Sequence, residues 1–209
     1  MRRAGSIVLL LLALEGSAKG QARVVAVDET TMPRLLPELR SRHVVFDSLI
    51  TAVLESAGFT VITPGVTAAT WQRVRDSLGG YYDRFTGRVV AGKLQAVETA
   101  TFAVLRHDHH VDVWIRPSVA TVQASFRGRK ASWDGVQEGS GGVIGDGILP
   151  ALSLIVPVFD SAGHAVYQGI GGIELKSKAD GETPPLLRDA ARIVHAVHLA
   201  MDSLRQALH

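Results

Sequence analysis

The chain has 209 residues, no cysteine, and 22 basic against 20 acidic side chains. Without cysteine the chain can form neither disulfides nor a lipid-bearing cysteine, and thiol chemistry is excluded. Residues 1–22 hold three of the basic and one of the acidic side chains, so 19 of each remain after Ala22, and this balance favours neither nucleic acid nor an anionic membrane as a partner.

The first 22 residues show the three-part pattern of a secretory signal peptide. Arg2 and Arg3 form a basic tip, an apolar run over residues 7–14 follows, and small residues come after it. The apolar run is too short for a bilayer-spanning helix, which needs about 20 residues. The pattern predicts cleavage after Ala18 or Ala22, and it favours Ala22 because an apolar strand begins directly afterwards. The alternative is an uncut membrane anchor.

Residues 23–209 are predicted to form one domain that is periplasmic or secreted. The 187 residues after Ala22 are enough to bury roughly 70% of the surface of the unfolded chain, so a stable core needs no disulfide. No second apolar stretch approaches the length of a membrane span. We therefore expect no transmembrane segment after signal cleavage.

The first third of this domain predicts a strand, a helix and a second strand. Residues 23–27 are a short β-rich run, and apolar residues then recur every three or four positions from Ser41 to residue 57. This period predicts an amphipathic helix with Ser41 as its cap and Gly58 as its stop. A short apolar run at 59–62 follows. The order predicts a crossover unit in which the two strands are neighbours in one sheet.

Two further helices and an aromatic turn are predicted next. Apolar spacing indicates helices at about 67–78 and at 93–105, separated by the turn-rich segment 81–87, which carries three aromatic rings. The second helix ends at residues 106–110, where basic side chains are favourable because of the helix dipole.

From Val111 the chain is predicted to be mainly β. The alternating apolar residues are odd-numbered before Pro117 and even-numbered after it. This change predicts a bend or bulge near Pro117, at an edge or end of the sheet. A short strand is predicted at 130–133, a flexible glycine-rich loop at 135–147, and two strands at 149–159 and 164–175 joined by a hairpin turn ending in Gly163. Glycines 169, 171 and 172 in the last strand predict a bulge or close backbone packing.

A long C-terminal helix completes the predicted fold. Its apolar stripe is expected at Leu187, Ala190, Val194, Val197, Met201, Leu204 and Leu208. The whole pattern predicts an α+β sandwich, in which a mixed, mainly antiparallel sheet packs against helices that include this last one.

Several phrases of the sequence resemble a group of uncharacterised exported bacterial α/β proteins. They are residues 79–83 with 86–87, Trp133-Asp134-Gly135, residues 152–154, and residues 160–175. The layout is also similar to the small periplasmic domains in the N-terminal part of TolB and in the curli secretion protein CsgG. This resemblance implies a cell-envelope role through protein contacts, and it transfers no catalytic residue.

Two sets of side chains are candidates for binding a protein partner. Tyr81, Tyr82 and Phe85 lie in a predicted turn, where they either cap the core or form a contact patch. Trp133 and Asp134 begin the glycine-rich segment. The leading hypothesis is a non-enzymatic cell-envelope domain that binds other envelope proteins through these two segments.

The alternative function is a metal-binding protein or a metal-dependent hydrolase. His107, His109 and His110 are the densest group of potential metal ligands, with Asp108 and Asp112 beside them. An extended backbone would place His107 and His109 on one side of the chain. The spacing matches no standard zinc site, so a polar helix end is the competing interpretation.

A third alternative is a small-molecule or glycan binder that uses Trp114 and Trp133, which requires a concave pocket. No serine, cysteine or phosphate-binding signature is present, and we expect no cofactor and no catalytic residue. His195, His198 and Asp202 lie on one flank of the last helix, and we expect this flank to face solvent or an interface.

Overall fold

The computed structural model describes residues 23–33, 37–142 and 145–208. Over these residues the chain is an α+β fold with a mixed, mostly antiparallel sheet that curls. The strands are β1 (Val24–Val27), β2 (Thr60–Ile62), β3 (Val113–Ile115), β4 (Ser118–Gly128), β5 (Lys130–Trp133), β6 (Val136–Gly139), β7 (Gly145–Phe159) and β8 (Ala165–Leu175). The helices are α1 (His43–Ser56), α2 (Pro64–Ser77), α3 (Ala91–His109) and α4 (Ala190–Leu208), and a 3₁₀ helix, Pro37–Arg42, precedes α1.

The first part of the sheet is parallel and has the order β2-β1-β3. The predicted crossover unit is confirmed, because β1 and β2 are parallel neighbours joined through α1. Alternate residues of β1 enter different cores. Val25 and Val27 pack with Phe46 of α1, whereas Ala26 packs with Phe102 of α3. Helices therefore cover both faces of this part of the sheet.

The second part of the sheet is antiparallel and is organised around β7. Strands β3 and β4 both pair with β7, and β8 pairs with β7 as well. Strands β5 and β6 continue the sheet from β4, and the backbone N–H of Gly172 in β8 donates to the carbonyl of Asp134 between β5 and β6. The sheet thus curls around a second small core that includes Trp133, Leu149 and Leu175.

Helix α4 packs very closely on β8, as the glycines of that strand predicted. A Cβ atom on Gly169 would lie 1.8 Å from the carbonyl oxygen of Ala200, and one on Gly171 would lie 2.0 Å from that of Ala196. Both distances are far below any van der Waals contact. The backbones of helix and strand therefore touch at positions where only glycine fits.

The predicted bulge is confirmed, and the predicted apolar stripe needs two corrections. The register between β7 and β8 shifts between Leu152 and Ser153, which makes a bulge beside Gly172. Ala190 and Val194 were expected in the stripe of α4, but both are exposed, and Ile193 is buried instead. The later stripe residues Val197, Met201 and Leu204 are buried as predicted.

The predicted helix boundaries need three corrections. Ser41 does not cap α1, because the 3₁₀ helix already contains it and leads directly into His43. Helix α2 begins earlier than expected, at Pro64, whose fixed φ suits the first turn. Helix α3 runs from Ala91 to His109 and ends at His110, whose φ of 55° is left-handed.

Two predictions for the β region are wrong. Residues 117–118 are not at a sheet edge, because β3 and β4 both have partners on each side. Residues 135–147 are not one flexible loop, because 136–139 form β6 and β7 begins at Gly145. Asp134 and Gly135 have φ of 36° and 82°, and they form the tight turn between β5 and β6. An Asp-Gly pair between strands favours this turn.

The predicted signal peptide, residues 1–22, lies outside the described residues. Within the described ranges, no helix combines the length and apolar character that crossing a bilayer requires.

The contact between β8 and α4 predicts a severe effect of a single methyl group. Gly171→Ala should lower the free energy of unfolding by roughly 3 kcal/mol, because its Cβ would overlap the backbone of α4. Gly139→Ala in β6 is the matched control, since a Cβ there meets nothing within 4 Å. Urea unfolding measures both. Equal stability of the two variants would contradict the close approach.

Candidate functional site

The aromatic turn, residues 81–90, connects α2 to α3 and is held by its own hydrogen bonds. Tyr82 forms a β-bridge with Val89, and the Val90 N–H donates to the Tyr81 carbonyl over 2.8 Å. At the tip, Asp83 Oδ1 accepts the backbone N–H groups of residues 85 and 86 at 3.0 and 2.7 Å. These bonds hold the pKa of Asp83 below its usual value.

The three rings of the aromatic turn have different surroundings. Tyr81 is half-buried and packs edge-on against Trp71 of α2, with ring centroids 6.0 Å apart. Tyr82 is 46% exposed and packs on Tyr81 at 4.5 Å. Phe85 is 98% exposed. Of the two alternatives predicted for this turn, core capping therefore describes Tyr81, whereas Phe85 projects into solvent.

Trp133 and Asp134 do not join the aromatic turn. Trp133 is only 6% exposed and belongs to the small core inside the curled sheet, where its indole N–H donates to the Leu152 carbonyl. Asp134 accepts a hydrogen bond from Ser153 at 2.6 Å. The expectation that both residues form a contact surface with Tyr81 and Phe85 is therefore wrong for Trp133, because its ring fills the core.

The three candidate histidines lie at the end of α3. Residues 107 and 109 are helical, so the extended geometry considered from the sequence is wrong. His107 is exposed, and its Nδ1 lies 2.8 Å from Asp108 Oδ1. Among the described residues, no three histidine or carboxylate side chains are close enough to hold a metal ion.

A cluster that the sequence analysis did not predict lies at the carboxyl ends of β1 and β3. Asp28 follows β1 directly, and Arg116 follows β3 directly. The Trp114 indole N–H donates to Asp28 Oδ1 over 2.8 Å, and Arg116 Nε lies 3.3 Å from Asp28 Oδ2. Arg116 Nη1 also donates to Glu98 Oε1 of α3 over 2.7 Å. Two carboxylates from different elements thus hold one guanidinium.

Aromatic rings surround the same guanidinium. Its central carbon lies 5.0 Å from the ring centroid of Trp114 and 5.9 Å from those of Trp71 and Phe159. Distances of this size are attractive cation–π contacts. Burial raises the pKa of Asp28 to about 6, and it outweighs the Trp114 hydrogen bond and the Arg116 charge, which both lower that pKa.

The cluster had only a weak signal in the sequence. Carboxyl ends of neighbouring parallel strands lie at one edge of a sheet, where ligands of α/β proteins commonly bind. The available clue was a polar residue directly after each of two β-rich runs, residues 23–27 and 111–115. It could be used only once β1 and β3 were known to be neighbours, and Trp114 and Asp28 are 86 positions apart in the chain.

No family model matches the chain, and no match is found among curated proteins. Among solved structures, the chain is similar to the crystal structure of lipoprotein GNA1162 from Neisseria meningitidis, with 13% sequence identity and a TM-score of 0.36 over 89% of this chain and 97% of that one. This likeness is too distant to support an argument about function.

The raised pKa of Asp28 predicts a pH-dependent stability. Between pH 3.8 and about 6, the folded carboxyl group holds a proton that the unfolded chain releases, so the free energy of unfolding falls as the pH rises. Asp28→Asn does not titrate and keeps an oxygen for the Trp114 N–H. Relative to the wild type, it should therefore gain up to about 3 kcal/mol between about pH 4 and about pH 7.

Urea unfolding of both proteins at several pH values in this window measures the difference in free energy. A difference that stays constant across the window would contradict the burial of Asp28.

Proposed function

We propose that this chain is an exported cell-envelope protein, and that residues 23–209 form one periplasmic or secreted domain that works by binding other envelope proteins rather than by catalysis. The pattern of residues 1–22 supports export. The resemblance of several sequence phrases to exported bacterial α/β proteins, and of the predicted layout to TolB and CsgG domains, is the reason for proposing an envelope setting. The observation that carries the protein-binding part is Phe85, which is 98% exposed on a hydrogen-bonded turn.

An ordered turn with an exposed ring is well suited to bind a protein. Burying a phenylalanine side chain contributes about 1.5–3 kcal/mol, which the isolated chain does not obtain from Phe85. Because Asp83 and the Tyr82–Val89 bridge already hold the turn, little further ordering is needed when a partner binds. Aromatic side chains that enter a pocket of the partner commonly provide most of the binding energy.

The surroundings of Phe85 indicate the chemistry of the partner. Tyr82 and Val89 are exposed apolar neighbours in the same turn, and Arg84 and Arg88 are exposed cations beside them. A protein surface with an apolar pocket and acidic residues around it would complement this arrangement. We therefore propose a protein partner with such a pocket.

Site-specific photo-cross-linking in exporting cells tests this function. A photoreactive residue replacing Thr86, next to Phe85, should cross-link to one defined envelope protein. Adding Phe85→Ser or Tyr82→Ala should reduce that product about tenfold or more, because a loss of 1.4 kcal/mol in binding corresponds to a factor of ten.

Ile148→Ser is the matched control. Ile148 is 62% exposed on β7, away from the aromatic turn, so its replacement should leave the product unchanged. The proposal fails if no protein cross-links, or if Ile148→Ser reduces the product as much as Phe85→Ser does. It also fails if the purified protein binds phosphatidylglycerol vesicles through Phe85, since a lipid surface would then be the partner.

A further inference from the structure

A groove lies between α3 and the turn that joins β7 to β8, and we call it the α3 groove. Its volume is about 740 Å³. Phe159, the nearly buried Phe102 and Trp114, and the imidazoles of His107 and His110 line it, together with Ala103 from α3 and Ala162 from the turn. Volumes of roughly 300–1,000 Å³ with mostly apolar walls and a few polar groups are typical of sites for small organic ligands.

Arg116 is the polar group that gives the α3 groove its chemistry. Its side chain is about one-third exposed and lines the groove. Asp28 and Glu98 engage Nε and Nη1, whereas Nη2 makes no hydrogen bond within the described part of the chain. Two carboxylates hold the Arg116 guanidinium, and the rings of Trp71, Trp114 and Phe159 pack around it. Its Nη2 donors remain available to a ligand.

The charges around Arg116 decide which ligand suits the α3 groove. The space over the Trp114 ring already contains a cation, so a cationic ligand would meet repulsion there. A purely apolar ligand would cover Arg116 and leave its Nη2 donors without an acceptor, which costs free energy. Arg106 of α3 also lines the groove and adds a second positive charge, while the one carboxylate in the lining, Glu98, is paired with Arg116 Nη1. A ligand with an anionic group on an apolar body avoids the repulsion, supplies an acceptor to Nη2 and is attracted by the charge of Arg106.

The position of the α3 groove in the fold supports the same conclusion. The chain leaves β1 through α1 to reach β2 on one side, and it returns through α2 and α3 to β3 on the other side. Strands β1 and β3 therefore flank a point where the direction of winding changes. Parallel sheets bind ligands in the crevice at the carboxyl ends of such strands, which is where Arg116 lies.

We propose that the α3 groove binds a small organic carboxylate with a flat aromatic body, whose carboxylate accepts hydrogen bonds from Arg116 and whose ring packs against Phe159 of β7 and Ala103 of α3. Guanidinium and carboxylate groups match in geometry and charge. Ring contacts of this kind add about 0.5–1.5 kcal/mol each to the burial of apolar area. This site is separate from the protein contact proposed for the aromatic turn.

Calorimetric titration of the purified protein with naphthoate tests the site. Naphthoate should bind in a saturable manner with one site per chain. Ala103→Phe should weaken binding about tenfold or more, because the new ring occupies the groove. Ala96→Phe is the matched control, since Ala96 is exposed two turns nearer the start of α3 and does not line the groove. It should change affinity by less than about twofold.

The charge of the ligand is tested with naphthamide, which has the same shape and no negative charge. It should bind about tenfold more weakly than naphthoate, and Arg116→Lys should reduce that difference, because lysine lacks the planar fork of donors. Circular dichroism confirms that each variant is folded. The proposal is overturned if naphthoate does not saturate at millimolar concentration, if Ala103→Phe binds as the wild type does, or if naphthamide binds equally well.

Discussion

The close approach of α4 to β8 is the contact on which the rest of the structure depends. Gly169 and Gly171 bring the strand against the backbone of α4 at Ala196 and Ala200. This approach lets the buried stripe of α4 reach the valines and leucines of β7, and α1 packs on the same core. Helix α4 therefore connects the antiparallel part of the sheet to the parallel part. Without this helix, the two parts would meet only where β3 and β4 pair with β7.

Pro117 lies between β3 and β4, where the two parts of the sheet meet. Strands β3 and β4 both pair with β7 and are separated only by Arg116 and Pro117. The parallel pairing of β3 with β1 ends at Ile115, Arg116 still donates its backbone N–H to the Pro157 carbonyl of β7, and proline has no N–H that a continued strand would need. Arg116 is thereby placed beside Asp28, at the end of β1. The site geometry is thus a direct consequence of how the two parts of the sheet meet.

Local patterns predicted the elements better than they predicted the site. The change of period between β1 and α1 was sufficient for the crossover unit, and the glycines of β8 correctly indicated close packing. Glycine density misled at residues 135–147, because β6 and the start of β7, which follow the tight turn at Asp134 and Gly135, were interpreted as one loop, whereas β5 before the turn was predicted correctly. The Asp28–Arg116 cluster could not be predicted, since it depends on strand order and on an α3 carboxylate. The sequence also left open whether Phe85 is buried, because the residue pattern of a turn does not specify which other residues pack on that turn.

The energetics of the Arg116 cluster distinguish it from an ordinary part of the core. Partial burial of two carboxylates and a guanidinium costs free energy, and burial raises the pKa of Asp28 despite its partners. Apolar side chains of similar volume would fill the same space without that cost. A fixed guanidinium with unused donors at the mouth of a ring-lined groove is instead what recognition of an anionic ligand requires.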